Sequence, residues 1–161
     1  MSAAFKLERE QWVPPPLDEV FAFFADARNL EVLTPPWLRF RIRTPEPIKM
    51  SSGTRIEYHI NWHGVPLRWK TEIARWEPPF RFEDMQIKGP YRVWHHTHQF
   101  KSMMEGTQIS DVVHYALPFG IVGRLVHAIS VRRNLEQIFD YRRKKIRELF
   151  GGEEEKSSGA K

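Results

Sequence analysis

The stretch Trp94–Tyr115, WHHTHQFKSMMEGTQISDVVHY, decides how this chain folds. Read with a period of two, Trp94, His96, His98 and Phe100 share one face of a strand, and Val93, His95, Thr97 and Gln99 share the other. The run Ile109, Asp111, Val113, Tyr115 repeats that character: apolar, with one ionisable intruder. A hairpin turning through Met103 to Gly106 sets Phe100 opposite Ile109, His98 opposite Asp111 and His96 opposite Val113. A histidine facing an aspartate inside an apolar wall is either a satisfied buried pair or the polar anchor of a ligand.

Working outward, the same alternation recurs. Thr54 to Trp62 and Val65 to Trp76 flank His63-Gly64, a two-residue turn that pairs Tyr58 with Trp69 and Ile56 with Thr71 on one face. Arg55, Glu57, His59, Arg68, Lys70 and Glu72 take the other, so one face of the sheet is wet and one covered. Phe80 to Ile87 and Arg92 to Lys101 follow, and Thr107 to Leu117 closes the sheet. Before them, Phe5 to Val13 alternates until Pro14-Pro15-Pro16 stops it. Leu17, Val20, Phe21, Phe23 and Phe24 then fall at helical spacing, with Asp18 and Glu19 in the first turn. A second short helix is expected from Arg28 to Leu33, and a strand from Trp37 to Arg43.

The cover for the apolar face is the last element. From Ile121 to Phe150 the chain reads as one long helix whose stripe is Ile121, Leu125, Ala128, Val131, Leu135, Ile138, Phe139, Ile146 and Leu149. Strand, two short helices, six strands and a long helix make an α+β domain, a seven-stranded antiparallel sheet curling around its C-terminal helix. One domain is expected over residues 1–150, with 151–161, GGEEEKSSGAK, as a disordered tail.

Composition narrows the function. The 161 residues hold no cysteine, which removes disulfides, thiolate chemistry and Cys-based zinc sites. No apolar run approaches the roughly 20 residues of a membrane span, so stable membrane insertion is not expected. The opening MSAAFKLERE lacks a basic segment followed by an apolar one, and a cytoplasmic location is the default expectation. Eight Lys or Arg against three acids between 121 and 150 account for the whole net charge of +5. A basic helix face of this kind reads as a solvated face, and no DNA partner is expected. Monomer and homodimer both stay open.

On the covered face, Asp84, His96, His98, Asp111, Tyr58, Tyr115 and Thr71 sit among large apolar groups. An unpartnered buried polar group costs about 1–3 kcal/mol, so these must bond one another, water or a ligand. Apolar walls with a few convergent polar groups describe a small-molecule pocket. Tyr58, Trp69, Phe82, Trp94, Phe100, Val113, Leu135 and Phe139 would supply the apolar wall. Asp84, His96, His98, Asp111 and Tyr115 would orient the polar end of the ligand. Arg124 and Arg142 fall in the apolar arc of the helix and either snorkel outwards or turn in, where Arg142 would meet an acidic ligand group or a buried carboxylate.

His96-x-His98 with Asp111 outlines a facial triad, yet Trp94 and Phe100 make its surroundings greasy and no further acid lies near in sequence. No metal and no cofactor are expected. An enzyme using His98 as general base, held by Asp111, is the competing reading. No G-x-S-x-G motif and no Gly-rich phosphate loop accompany it.

Four segments carry a resemblance that covers residues 5 to 150: VPPPLDEVFAFFADARNLEVLTPPWLRFRI, GPYRVWHHTHQF, SDVVHYALPFGIVGRLVH and LEQIFDYRRKKIRELF. Together they resemble the START/Bet v 1-like superfamily, specifically its SRPBCC group of polyketide cyclase/dehydrase-like bacterial proteins. The resemblance implies a helix-grip fold with a deep hydrophobic cavity between sheet and C-terminal helix. It also implies binding of lipids, sterols, polyketides or other apolar and aromatic molecules, with some members acting as cyclases or dehydratases. The group has no universal catalytic residue to carry over, so fold alone does not set the function.

Overall fold

A computed structural model describes residues 5–152. The expected disordered tail therefore lies, beyond Gly152, outside the described residues. Seven antiparallel strands form one sheet in the order β1-β7-β6-β5-β4-β3-β2. They are β1 (Phe5–Val13), β2 (Arg41–Ile42), β3 (Arg55–Trp62), β4 (Val65–Glu77), β5 (Arg81–Lys88), β6 (Val93–Met103) and β7 (Gly106–Ala116). The registers read from the sequence are the observed ones: His98 pairs with Asp111, His96 with Val113, Phe100 with Ile109, and Tyr58 with Trp69.

Turn chemistry fixes those registers. His63 and Gly64 both have positive φ, 48° and 83°, the backbone of a two-residue turn whose twist suits a hairpin. Met104 and Glu105 do the same between β6 and β7 at 48° and 60°. Gly106, the next residue, is held to glycine by crowding: a Cβ there would stand 2.3 Å from the Val13 carbonyl oxygen and against the Trp12 ring. Two register shifts between β4 and β5, at Lys70/Thr71 and Ile73/Arg75, bend the sheet into its curl.

Helices α1 (Leu17–Ala25) and α2 (Asn29–Leu33) follow β1 as expected. The strand expected from Trp37 to Arg43 is mostly absent. Pro36–Leu38 forms a single 3₁₀ turn, and Arg39 reverses the chain at a φ of 45°. Only Arg41–Ile42 remains extended, paired with His59 and Tyr58 at the sheet edge. Proline at the head of the segment favours the turn over the ladder, and the reversal drops Phe40 into the core.

The C-terminal helix runs unbroken from Gly120 to Phe150, but not with one period. It comprises α3 (Gly120–Val126), a π-helical segment His127–Val131, and α4 (Arg132–Phe150). In α4 the stripe holds: Leu135, Phe139 and Ile146 are buried, and Ile138 is partly so, while Leu149 near the end stays exposed. Ahead of the π segment it fails. Ile121 and Leu125 are 76% and 62% exposed, and Gly123 and His127 take the inner side. One extra residue in the π turn rotates the upstream face by about 100°, which a constant 3.6-residue period misses. Gly123 also packs so tightly that a Cβ would lie 2.1 Å from the Pro118 carbonyl oxygen.

Two apolar clusters result. One joins Leu7, Val113, Tyr115 and Trp69 to Leu135 and Phe139 of α4. The other joins Val13, Phe21, Phe24, Phe82 and Phe100 to Ile146. A polar group of side chains sits between them.

Candidate functional site

Four neighbouring elements converge on that polar group. Strand β5 brings Asp84, β6 brings His96 and His98, β7 brings Asp111, and α4 brings Arg142 from above. In the ladder Asp84 sits opposite His96, and His98 opposite Asp111, so each carboxylate reaches one imidazole directly and the other diagonally. The diagonal contacts are the shorter ones. His98 Nε2 is 2.8 Å from Asp84 Oδ2, and His96 Nε2 is 2.8 Å from Asp111 Oδ1. The pair read from the sequence is also made, with His98 Nδ1 3.2 Å from Asp111 Oδ1. Arg142 Nη2 approaches the same oxygen at 3.4 Å.

The environment sets the charges. Burial alone would raise the Asp111 carboxyl, but the Arg142 guanidinium and the bonds from His96 and His98 hold it well below the usual carboxylate range. Burial likewise works against ionisation of Asp84, and the His98 bond with the surrounding positive charge brings it below its ordinary value. Burial pushes the His98 imidazole down, yet its bonds to Asp111 and Asp84 win and raise it. His96 goes the other way: burial and the adjacent His98 charge lower it despite Asp111. The two imidazoles are therefore driven in opposite directions, His98 towards the charged form beside its two carboxylates and His96 towards the neutral one. Phe82 stacks on the His98 ring at 4.1 Å, and the Arg142 guanidinium lies 5.2 Å from the centre of the Phe24 ring, which screens the cluster from water.

One ligand atom each from Asp84, His96 and His98 comes within 4.8 Å of the others, close enough to share a cation. The acid in this group is Asp84 rather than the Asp111 suggested by the sequence pattern. Both carboxylates already have a nitrogen partner in His98, and Asp111 has further ones in His96 and Arg142.

Between the sheet and α4 lies a cavity of about 170 Å³. Most residues expected at a binding site line it: Tyr58 from β3, Trp69 and Thr71 from β4, Phe82 and Asp84 from β5, and Trp94, His96 and His98 from β6. Leu135, Phe139 and Arg142 close it from α4. Arg142, for which snorkelling was the alternative, points inward and is 7% exposed. Four residues from the sequence reading stand elsewhere. Phe100 packs on Phe21 and Phe24, and Val113 is wholly buried in the other cluster. Asp111 stands behind the histidines, and the Tyr115 hydroxyl bonds His127 Nε2 at 2.7 Å.

The sequence reading did not name the rest of the lining, which includes Leu30 and Leu33 of α2, Phe40, Tyr91, and Ile56 and Ile60 of β3. Ile56 and Ile60 alternate with Tyr58 and were legible as inward by period two. Tyr91, directly after Pro90 in a turn, carried no such signal. Two of the lining residues each carry a wholly buried nitrogen with no hydrogen-bond partner, Trp69 Nε1 and Arg142 Nε.

The family model described as "Polyketide cyclase / dehydrase and lipid transport" matches residues 13–139. The chain belongs to that family. Its fold is that of the START/Bet v 1-like superfamily, a helix-grip arrangement associated with hydrophobic ligands. Solved structures agree on the fold. Protein Ms6760 from Mycobacterium smegmatis is 18% identical, with 89% of each chain covered and a TM-score of 0.65. TTHA0849 from Thermus thermophilus is 21% identical over 90% of this chain and 99% of its own, at 0.63. Ginseng major latex-like protein 151 from Panax ginseng is 10% identical over 91% and 97%, at 0.66. No curated protein matches the chain in sequence. Among the described residues, no helix is long and apolar enough to cross a membrane.

Proposed function

We propose that this protein binds a small hydrophobic or aromatic molecule in the cavity between sheet and α4, for transport or sequestration. The observation that carries the reading is the cavity itself: apolar over most of its wall, with the Asp84–His98 cluster confined to one end. A 170 Å³ space is of the size that holds one benzene ring, and lies below the roughly 300 Å³ where pockets for larger ligands begin. A lipid or polyketide would therefore need α2 and the Pro36–Leu38 turn to move outwards. Ethylbenzene is the direct probe. Wild type should bind it in a calorimetric titration, and Leu135→Trp, which fills the cavity from α4, should not while keeping its unfolding transition. Equal binding by both proteins places the probe elsewhere and removes the reading.

The family description also admits a cyclase or dehydratase, and one observation favours His96 over His98 as its base. Both His98 nitrogens lie against carboxylates, whereas His96 Nδ1 stands 3.9 Å from Asp84, beyond hydrogen-bonding range. With Nε2–H given to Asp111, His96 keeps a lone pair on Nδ1 beside the cavity. Turnover of a carbonyl substrate should then follow the ionisation of His96 and vanish in His96→Gln; retention of turnover there removes His96 from the chemistry.

A further inference from the structure

The start of the C-terminal helix presents its apolar side to solvent. Phe119, Ile121, Val122, Leu125 and Ile129 are each between 62% and 82% exposed, and Val126 is exposed beside them. Ile121, Leu125 and Ile129 recur at the four-residue spacing that places side chains on one helix face. That face cannot turn inwards. Its opposite side is pinned by Gly123, where a Cβ would strike the Pro118 carbonyl oxygen, and by His127. The His127 Nε2 bonds the Tyr115 hydroxyl, and its ring stacks on Phe5 at 3.5 Å. Single exposed apolar residues need no explanation, but a continuous face of them marks an interaction surface.

Charge names the partner. No Asp or Glu occurs between Asp111 and Glu136, while the exposed Arg124, Arg132 and Arg133 flank the apolar face. Glu136 pairs with Arg132 at 3.3 Å, so three cations less one acid leave a surplus of +2. A second copy of the chain would set that surplus against itself. A nucleic acid would answer the arginines and leave the apolar side chains in water. Side chains this exposed project from the surface rather than line a groove, which suits a deformable partner. An anionic bilayer meets both features, with acyl chains for the apolar face and phosphates for the guanidinium groups.

We propose that the helix face over 119–129 is a docking surface for an anionic lipid bilayer. The helix lies in the plane of the interface, with Ile121, Leu125 and Ile129 at the acyl boundary and Arg124 and Arg133 among the headgroups. Docking is peripheral and does not depend on what the cavity holds. The test is flotation with phosphatidylcholine vesicles containing about 30% phosphatidylserine, against vesicles of phosphatidylcholine alone. Wild type should partition onto the anionic vesicles at least about fivefold more strongly, and about 1 M salt should remove most of that difference. Arg133→Gln should weaken partitioning about fivefold, the loss of one cation near the surface. Ile121→Gln combined with Ile129→Gln should weaken it by about tenfold or more. Both positions are exposed, so the double variant should keep the wild-type unfolding transition; if it does not, the lipid and salt dependence of wild type still decides. No partitioning of wild type, partitioning indifferent to lipid charge and salt, or undiminished partitioning of a folded double variant overturns the proposal. So does a wild-type dimer that the double variant converts to monomer, which gives the face to a second copy.

Discussion

At the Arg142 end of the cavity, the buried Asp111, the partly buried Asp84, two imidazoles and a guanidinium bond one another. At the Trp69 end, Tyr58, Tyr91 and Trp94 close around an indole N–H that bonds nothing. The first end is a bonded network, costly to disturb, in which Arg142 Nε is a wholly buried nitrogen without a partner. The second is an aromatic surface with no ion pair among the described residues. Stability is therefore concentrated where the polar residues are, and the apolar wall where the aromatic ones are.

The contrast breaks most severely at Arg142. Arg142→Met leaves Asp111 buried without its guanidinium and should lower unfolding free energy by about 3–5 kcal/mol in urea titration. A loss under about 1 kcal/mol would mean that the ion contact contributes nothing to the fold.

His98 should show a smaller effect with a pH signature. His98→Gln should cost about 1–3 kcal/mol near pH 6. Because folding raises the His98 value, its contribution is complete below the unfolded value of about 6.5 and is lost as pH rises through the folded one. The gap between wild type and His98→Gln should narrow from pH 6 to pH 9; a widening gap contradicts the assigned charge. His96 shifts downward and acts in the opposite sense, so the variant comparison isolates His98 better than the wild-type curve. Asp84 and Asp111 have depressed values, so their contribution is full above about pH 4 and fades as pH falls further.

Tyr115→Phe removes the hydroxyl that bonds His127 outside the cavity, and should cost about 1 kcal/mol without altering ethylbenzene binding. Trp69→Phe has no hydrogen bond to lose, so its cost, also about 1 kcal/mol, should come only from the packing of the buried ring atoms removed. Thermal unfolding of the two variants side by side checks both costs.

How much of this was legible beforehand differs between the ends. The short Met104-Glu105 turn and period-two alternation fixed His98 opposite Asp111, and they also fixed Tyr58 opposite Trp69. Which carboxylate each imidazole prefers depends on side-chain rotamers across the diagonal, and no register carries that information. Arg142 was ambiguous because a long side chain on an apolar arc can go either way. The exposed Ile121 and Leu125 were misplaced because a π segment announces itself by hydrogen bonding, not by composition. The wall supplied by α2, Phe40 and Tyr91 depends on how irregular chain folds back, where periodicity is silent.

A crystal structure of wild type soaked with ethylbenzene tests the central claim most directly. The ring is expected inside the cavity between the sheet and α4, with His98 still bonded to Asp84 and Asp111. A probe found only on the surface, with the cavity left unfilled, would contradict it.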